Sequence, residues 1–189
     1  YALAMTLGRG SVGRLNVARL VAAVLGAGLF VRVQKRAASP LVRLDMFRDA
    51  SLRAGLAMGT LVSTVMMATL VVGPFYLARA LGLDAAMVGL VLAAGPVAAA
   101  LTGVPAGKLA DRFGAPRMTA VGLAVATLGC TALALLPTAC GIPGYIGPMV
   151  LVTVGYALFQ TANNTAVMAD VRADQRGVVS GLLNLSRNL

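Results

Sequence analysis

Gly107-Lys108-Leu109-Ala110-Asp111-Arg112-Phe113-Gly114-Ala115-Pro116-Arg117 is a short charged knot set between two long apolar runs. Its side chains suit electrostatics rather than covalent chemistry. Asp111 can accept hydrogen bonds from free amides at a neighbouring helix N-terminus, where the helix dipole favours negative charge. Arg112 and Arg117 can pair with carboxylates or with helix-end carbonyls. Gly107 and Gly114 allow a tight turn.

Two further groups of polar side chains interrupt apolar sequence. Thr60, Ser63 and Thr64 recur at helical spacing and share one face. So do Tyr156, Gln160 and Asn163, with Asn164 beside them. In lipid such groups must face protein or water. Helix packing is favoured for Thr60, Ser63 and Thr64. A substrate cavity is favoured for Tyr156, Gln160 and Asn163, and Asn164 suits its inner mouth equally well. Arg187 is a charge inside an apolar stretch, which is costly unless it is paired, wet or snorkelling to the inner surface.

Nothing here suits catalysis. The chain has no histidine, and its six acidic residues are all aspartates in loops or at the ends of apolar runs. There are no paired carboxylates within a run, no nucleophile motif and no metal-ligand spacing. No cofactor, metal or catalytic residue is expected. Cys130 and Cys140 read as small hydrophobes; a helical stretch between them would hold the sulfurs about 15 Å apart, too far for a disulfide.

The elements that must position these residues are membrane spans. The chain of 189 residues is 59% hydrophobic and 12% charged, whereas soluble domains carry roughly 25% charged residues. A hydrocarbon core about 30 Å thick takes roughly 20 apolar residues per helix. Spans are expected at 15–33, 54–77, 85–107, 118–136 and 145–168, with a sixth begun at 177–189. Residues 1–14 read as the remnant of an upstream loop. Residues 34–53 read as a cytoplasmic linker, with a short amphipathic helix at 44–47. Pro74, Pro96 and Pro105 are expected to kink their helices. Gly55-x-x-x-Gly59 and Gly103-x-x-x-Gly107 are expected to allow close helix contact. The Pro- and Gly-rich stretch 137–148 is expected to be an outer loop. The ends, Tyr1 and Leu189, give the impression of a piece of a longer protein.

Charge sets the orientation. The net charge is +10, which in a soluble protein suggests nucleic acid. Here the cations are not gathered on one amphipathic face, so no nucleic-acid partner is expected. Arg32, Lys35, Arg36, Arg43, Arg48 and Arg53 precede the second span. Lys108, Arg112 and Arg117 follow the third, and Arg172 and Arg176 follow the fifth. The closed loops on the other side hold only Arg79. Cytoplasmic loops collect Lys and Arg, so the three basic loops lie inside. Arg9 and Arg14 would then lie outside, against the trend.

The knot, written Gly-x-Leu-Ala-Asp-Arg-x-Gly with a basic residue after it, resembles the loop signature of the major facilitator superfamily. It departs from the usual ending, where two consecutive basic residues are commoner than Ala115-Pro116-Arg117. Three more pieces resemble the EmrB/QacA-like branch of fourteen-span drug:proton antiporters. These are Pro40-Leu41-x-x-Leu44-Asp45-Met46-Phe47-Arg48; Gly73-Pro74-Phe75-Tyr76-Leu77 with Gly82 and Gly89-Leu90; and the run from Arg176 to Arg187.

The resemblance implies an all-α integral membrane protein. Residues 54–189 would form part of the C-terminal six-helix bundle, and 15–33 an extra central helix. It implies that the second, third and fifth spans line a central path while the fourth packs outside. Gly107, Asp111, Arg112, Gly114 and Arg117 would then form a cytoplasmic gating latch; the plainer alternative is a positive-inside anchor. The expected function is efflux of drugs or small amphiphilic molecules from a bacterial inner membrane. The partners are the lipid bilayer, a small-molecule substrate and protons, with the proton-carrying carboxylate supplied by the N-terminal half. The alternatives are uptake of sugars or organic ions on the same fold, and a non-transporting scaffold or sensor.

Overall fold

The computed structural model describes residues 44–135, 137–169 and 171–188, with residues 18, 21, 22, 24–26, 28, 29, 32 and 33. The remnant expected at 1–14, most of the first expected span and the linker before residue 44 lie outside the described residues. The chain divides into two units, Tyr1–Arg48 and Asp49–Leu189. In the first, the scattered described residues before residue 34 are helical. Leu44–Arg48 forms a 3-10 turn where a short amphipathic helix is expected.

The second unit is a bundle of helices: α1 (Ala50–Ala80), α2 (Ala85–Leu92), α3 (Ala94–Phe113), α4 (Ala115–Leu135), α5 (Gly141–Ala169) and α6 (Arg176–Asn188). Among the described residues there is no strand. Four stretches, Ala50–Ala80, Ala85–Phe113, Ala115–Leu135 and Thr138–Ala169, are long and apolar enough to cross a membrane.

Local chemistry sets the ends. Asp49 accepts a hydrogen bond from the Ser51 amide at 2.8 Å, so α1 begins at Ala50, inside the expected linker. Asp84 does the same for the Met87 amide at 2.8 Å and starts α2. Each cap satisfies a donor that the helix cannot. Pro96 has no N–H to give to the Leu92 carbonyl. The third span therefore breaks at Ala93, between α2 and α3, and continues through Val97 N–H to the Ala93 carbonyl at 3.2 Å. Pro74 and Pro105 lie within α1 and α3, which run on past them.

Two expectations fail. The stretch 137–148 is not a long loop. A 3-10 turn at Thr138–Cys140 leads directly into α5 at Gly141, and Pro143, Gly144, Gly147 and Pro148 are all helical. Pro143 falls in the first turn, where an N–H has no partner in any case. Membrane helices also tolerate interior proline better than soluble ones do. Gly103 and Gly107 face open space rather than a neighbouring helix.

The close backbone contact lies elsewhere. A Cβ at Gly122 would meet Phe159 Cα at 2.7 Å and the Gly155 carbonyl oxygen at 2.9 Å. A Cβ at Gly129 would meet the Val152 amide nitrogen at 2.7 Å. Seven residues put Gly122 and Gly129 on one face of α4, and that bare strip lies against α5.

The core follows from this packing. α5 touches α1, α3 and α4, and α6 packs mainly on α1. In α5, 44% of the apolar window is buried within the protein, against 17% in each of the other three long stretches. α5 is thus the central post, and the others turn broad apolar faces outward, as lipid contact requires. At the end of the bundle where α1 meets α2, Leu77, Val91, Tyr145 and Met149 form one buried cluster.

Candidate functional site

The polar residues of three helices meet in one place. A pocket between α1, α5 and α6 is lined by Ser63, Tyr156, Gln160, Asn163, Asn164 and Arg187, among others. It measures about 10 Å³, the room of a single water. Beside it opens a larger cleft of about 220 Å³, lined by Thr60, Ser63, Thr64, Met67, Ser186, Arg187 and Asn188. Ser63, Ser186 and Arg187 border both.

Arg187 is half-buried. It lies eleven residues into α6, which at 1.5 Å per residue is about 16 Å from the start of that helix. A charge at the centre of a membrane helix costs about 3 kcal/mol on insertion scales. The side chain folds back, so that Nε donates to the Leu183 carbonyl at 3.1 Å and Nη2 to Asn164 Oδ1 at 3.4 Å. An arginine has five N–H donors. Among the described residues the other three have no partner, and no carboxylate pairs with the guanidinium.

The stripe on α5 splits. Gln160 Nε2 donates to the Tyr156 hydroxyl at 2.9 Å, and both side chains are half-buried at the pocket. Asn163, expected in a cavity, is only 4% exposed, and its Nδ2 donates to the Gly55 carbonyl at 3.1 Å. It borders the pocket but serves as an α1–α5 cross-link. Gly55 and Gly59 make that approach possible. A Cβ at Gly55 would collide with Val167, and one at Gly59 would lie 3.4 Å from Ser186 Oγ.

On α1, Thr60 and Thr64 donate to carbonyls one turn back, Leu56 at 3.0 Å and Thr60 at 2.8 Å. These bonds lie within α1, and both side chains border the cleft against α6. Ser63 is buried, and among the described residues its hydroxyl has no partner. An unpaired buried hydroxyl is costly, and the adjacent space can hold the missing partner. Sequence reasoning missed Ser186, although Leu183, Ser186 and Arg187 lie at i, i+3 and i+4 on one face. It also missed Tyr145, whose buried hydroxyl lacks a partner among the described residues and whose ring stacks on Tyr76 at 5.9 Å.

The charged knot is shorter than expected. α3 ends at Phe113 and α4 starts at Ala115, so Gly114 alone makes the turn. Its φ of 87° lies where side-chain-bearing residues rarely go, and its N–H bonds the Ala110 carbonyl at 3.0 Å. Gly107 lies within α3 and takes no part in the turn. Asp111 and Arg117 are exposed, and among the described residues neither has a hydrogen-bond or ion-pair partner. Arg112 sits over the Phe113 ring at 5.3 Å. Pro116 is accepted because it stands in the first turn of α4. Cys130 and Cys140 are free thiols, and among the described residues no cluster of side chains could hold a metal ion.

Helices long and apolar enough to span a bilayer, with a polar cleft between them among the described residues, define the class as membrane protein. Residues 8–189 match the model of the Major Facilitator Superfamily, and the chain belongs to that family of multi-pass membrane transporters. It is 31% identical to an uncharacterized transporter, YebQ, of Escherichia coli (strain K12), over 93% of this chain and 38% of that protein. It is 27% identical to the riboflavin transporter RibZ of Clostridioides difficile (strain 630), over 78% of this chain and 32% of that protein. It is 24% identical to the multidrug efflux pump LfrA of Mycolicibacterium smegmatis, over 84% of this chain and 32% of that protein. The chain therefore spans well under half the length of these curated relatives. No solved structure gives a comparable match.

Proposed function

We propose that this chain works as part of a secondary transporter that exports small amphiphilic molecules across a bacterial cell membrane, driven by protons. The observation that carries this reading is the convergence of Ser63, Tyr156, Gln160, Asn164 and Arg187 on one polar pocket in otherwise apolar helices, with Ser63 and Arg187 also bordering the larger cleft beside it. Idle amide and guanidinium groups in lipid are expensive; a wetted substrate path gives them a use. Likeness to a multidrug efflux pump supports export.

In this reading the helices from Ala50 onward belong to a C-terminal six-helix bundle, the residues from 34 to the Asp49 cap form a cytoplasmic linker, and 15–33 form an extra central helix. The bundle rocks against its counterpart about a midplane site. The exposed carboxylate of Asp111 and the cation of Arg117 have no partner within this bundle, and they are free to engage the other half when the inner side closes. Protons couple through a carboxylate outside this chain, since the interiors of its spans carry none. A second reading is uptake of an organic solute through the same cleft; the likeness to a riboflavin transporter supports an organic solute.

The test is dye accumulation in cells expressing the full-length protein, with and without a protonophore. Export predicts lower accumulation that the protonophore abolishes. Asp111→Asn, Gln160→Ala and Arg187→Ala are each expected to reduce export about tenfold at unchanged protein level, the loss of roughly one charge-assisted or buried polar contact. Higher accumulation than in control cells points to uptake instead. Unchanged transport in all three variants refutes the assigned cleft and latch.

A further inference from the structure

We infer that Arg187 binds an anionic oxygen group of the substrate, so that the cleft selects organic anions over permanent cations. This rests on the transport reading above and deepens it. Three observations converge. The guanidinium is half-buried, about 16 Å along α6, and three of its N–H donors are unpartnered among the described residues. No carboxylate from the described helices neutralises it. Beside it the Ser63 hydroxyl, 6% exposed, also lacks a partner among the described residues and borders the same space.

The remaining lining fits the same chemistry. The Ser63 hydroxyl, and in the adjoining pocket the second amide N–H of Gln160, can each donate a hydrogen bond, whereas Ser186 Oγ already donates to the Leu183 carbonyl at 2.9 Å; Met67 offers an apolar surface. A planar guanidinium with free N–H groups on one side matches a carboxylate or sulfonate bidentately. A cationic ligand would meet an uncompensated like charge in a region of low dielectric, where repulsion is strong.

An anionic group could come from the substrate or from a carboxylate in the rest of the transporter. The experiment separates these. Full-length protein is reconstituted into proteoliposomes, and transport of fluorescein, an anion, is compared with that of ethidium, a permanent cation. Binding of both dyes to detergent-solubilised protein is measured by fluorescence anisotropy. The expected result is preference for fluorescein. Arg187→Gln should weaken fluorescein binding and lower its kcat/KM about tenfold to hundredfold, mainly through KM. Arg187→Lys should recover part of that loss, because it keeps the charge and loses the fork.

Preference for ethidium overturns the assignment and leaves the transport reading standing. So does an equal loss of both dyes in Arg187→Gln, which points to an internal carboxylate. Fluorescein binding that depends on Arg187 without any transport supports the assignment and removes the transport reading.

Discussion

Asn163 and Asn164 are neighbours in sequence with different tasks. Asn163 ties α5 to the Gly55 carbonyl, and Asn164 faces the Arg187 guanidinium. Successive residues on a helix point about 100° apart, so one lies in the seam and the other at the cleft. The Gly55 carbonyl also belongs to the α1 ladder and is not orphaned when the amide goes. Asn163→Ala should therefore cost only about 0.6 to 1.7 kcal/mol, the range for interhelical hydrogen bonds in membranes. Chemical unfolding in mixed micelles measures it; a loss far outside that range would mean the amide does more than cross-link. The sequence exposes Gln160 and Arg187 because polar groups stand out in apolar runs. It could not choose between the two asparagines, since both sit at the edge of the same stripe. Tyr145 was hidden for another reason. A tyrosine near a helix end reads as part of the interfacial belt, yet this one is buried against Gly73.

Helix pairing in this bundle depends on where side chains are missing. α4 lies on α5 through Gly122 and Gly129, with Gly155 on the facing strip. Gly122→Val would drive a branched side chain into the Phe159 backbone, which cannot yield as a side chain can. A loss of about 3 kcal/mol is expected, the upper range for overpacking. Gly103→Ala should be neutral or stabilising by up to about 1 kcal/mol, because open space surrounds it and alanine favours helix. Thermal unfolding of the two purified full-length variants compares them directly, and a reversed order would contradict the α4–α5 contact. Span existence was legible from run length, but which glycines pack was not. Gly103-x-x-x-Gly107 has the familiar spacing and faces nothing, while Gly122 and Gly129 stand seven apart and carry the interface. The stretch 137–148 misled because its proline and glycine signals come from water-soluble turns. In a bundle Pro143 and Pro148 fit inside α5.

Across the whole molecule, orientation follows from where the cations sit. Lys108, Arg112 and Arg117 flank the α3–α4 turn, and Arg172 and Arg176 flank the start of α6, so both connections lie on one side. The α4–α5 connection lies on the other side and carries no charge. The positive-inside rule makes the first side cytoplasmic. The order of residues alone carries this, because charge is excluded from hydrocarbon whatever the packing within it. The native Cys140 provides a probe already in place. It is exposed in the 3-10 turn before α5, at the outer end by this assignment. In full-length protein whose other cysteines are replaced, Cys140 should react with a membrane-impermeant maleimide on intact cells. A thiol at the opposite end, Phe113→Cys in the same background with Cys140→Ser, should react only after the membrane is opened, because Phe113 sits beside the basic turn. Labelling of the Phe113 position from outside, with Cys140 protected, would invert the bundle and place the Arg187 cleft nearer the outer mouth. That inversion would also set all three basic loops against the charge rule, which nothing in the packing of α1 to α6 requires.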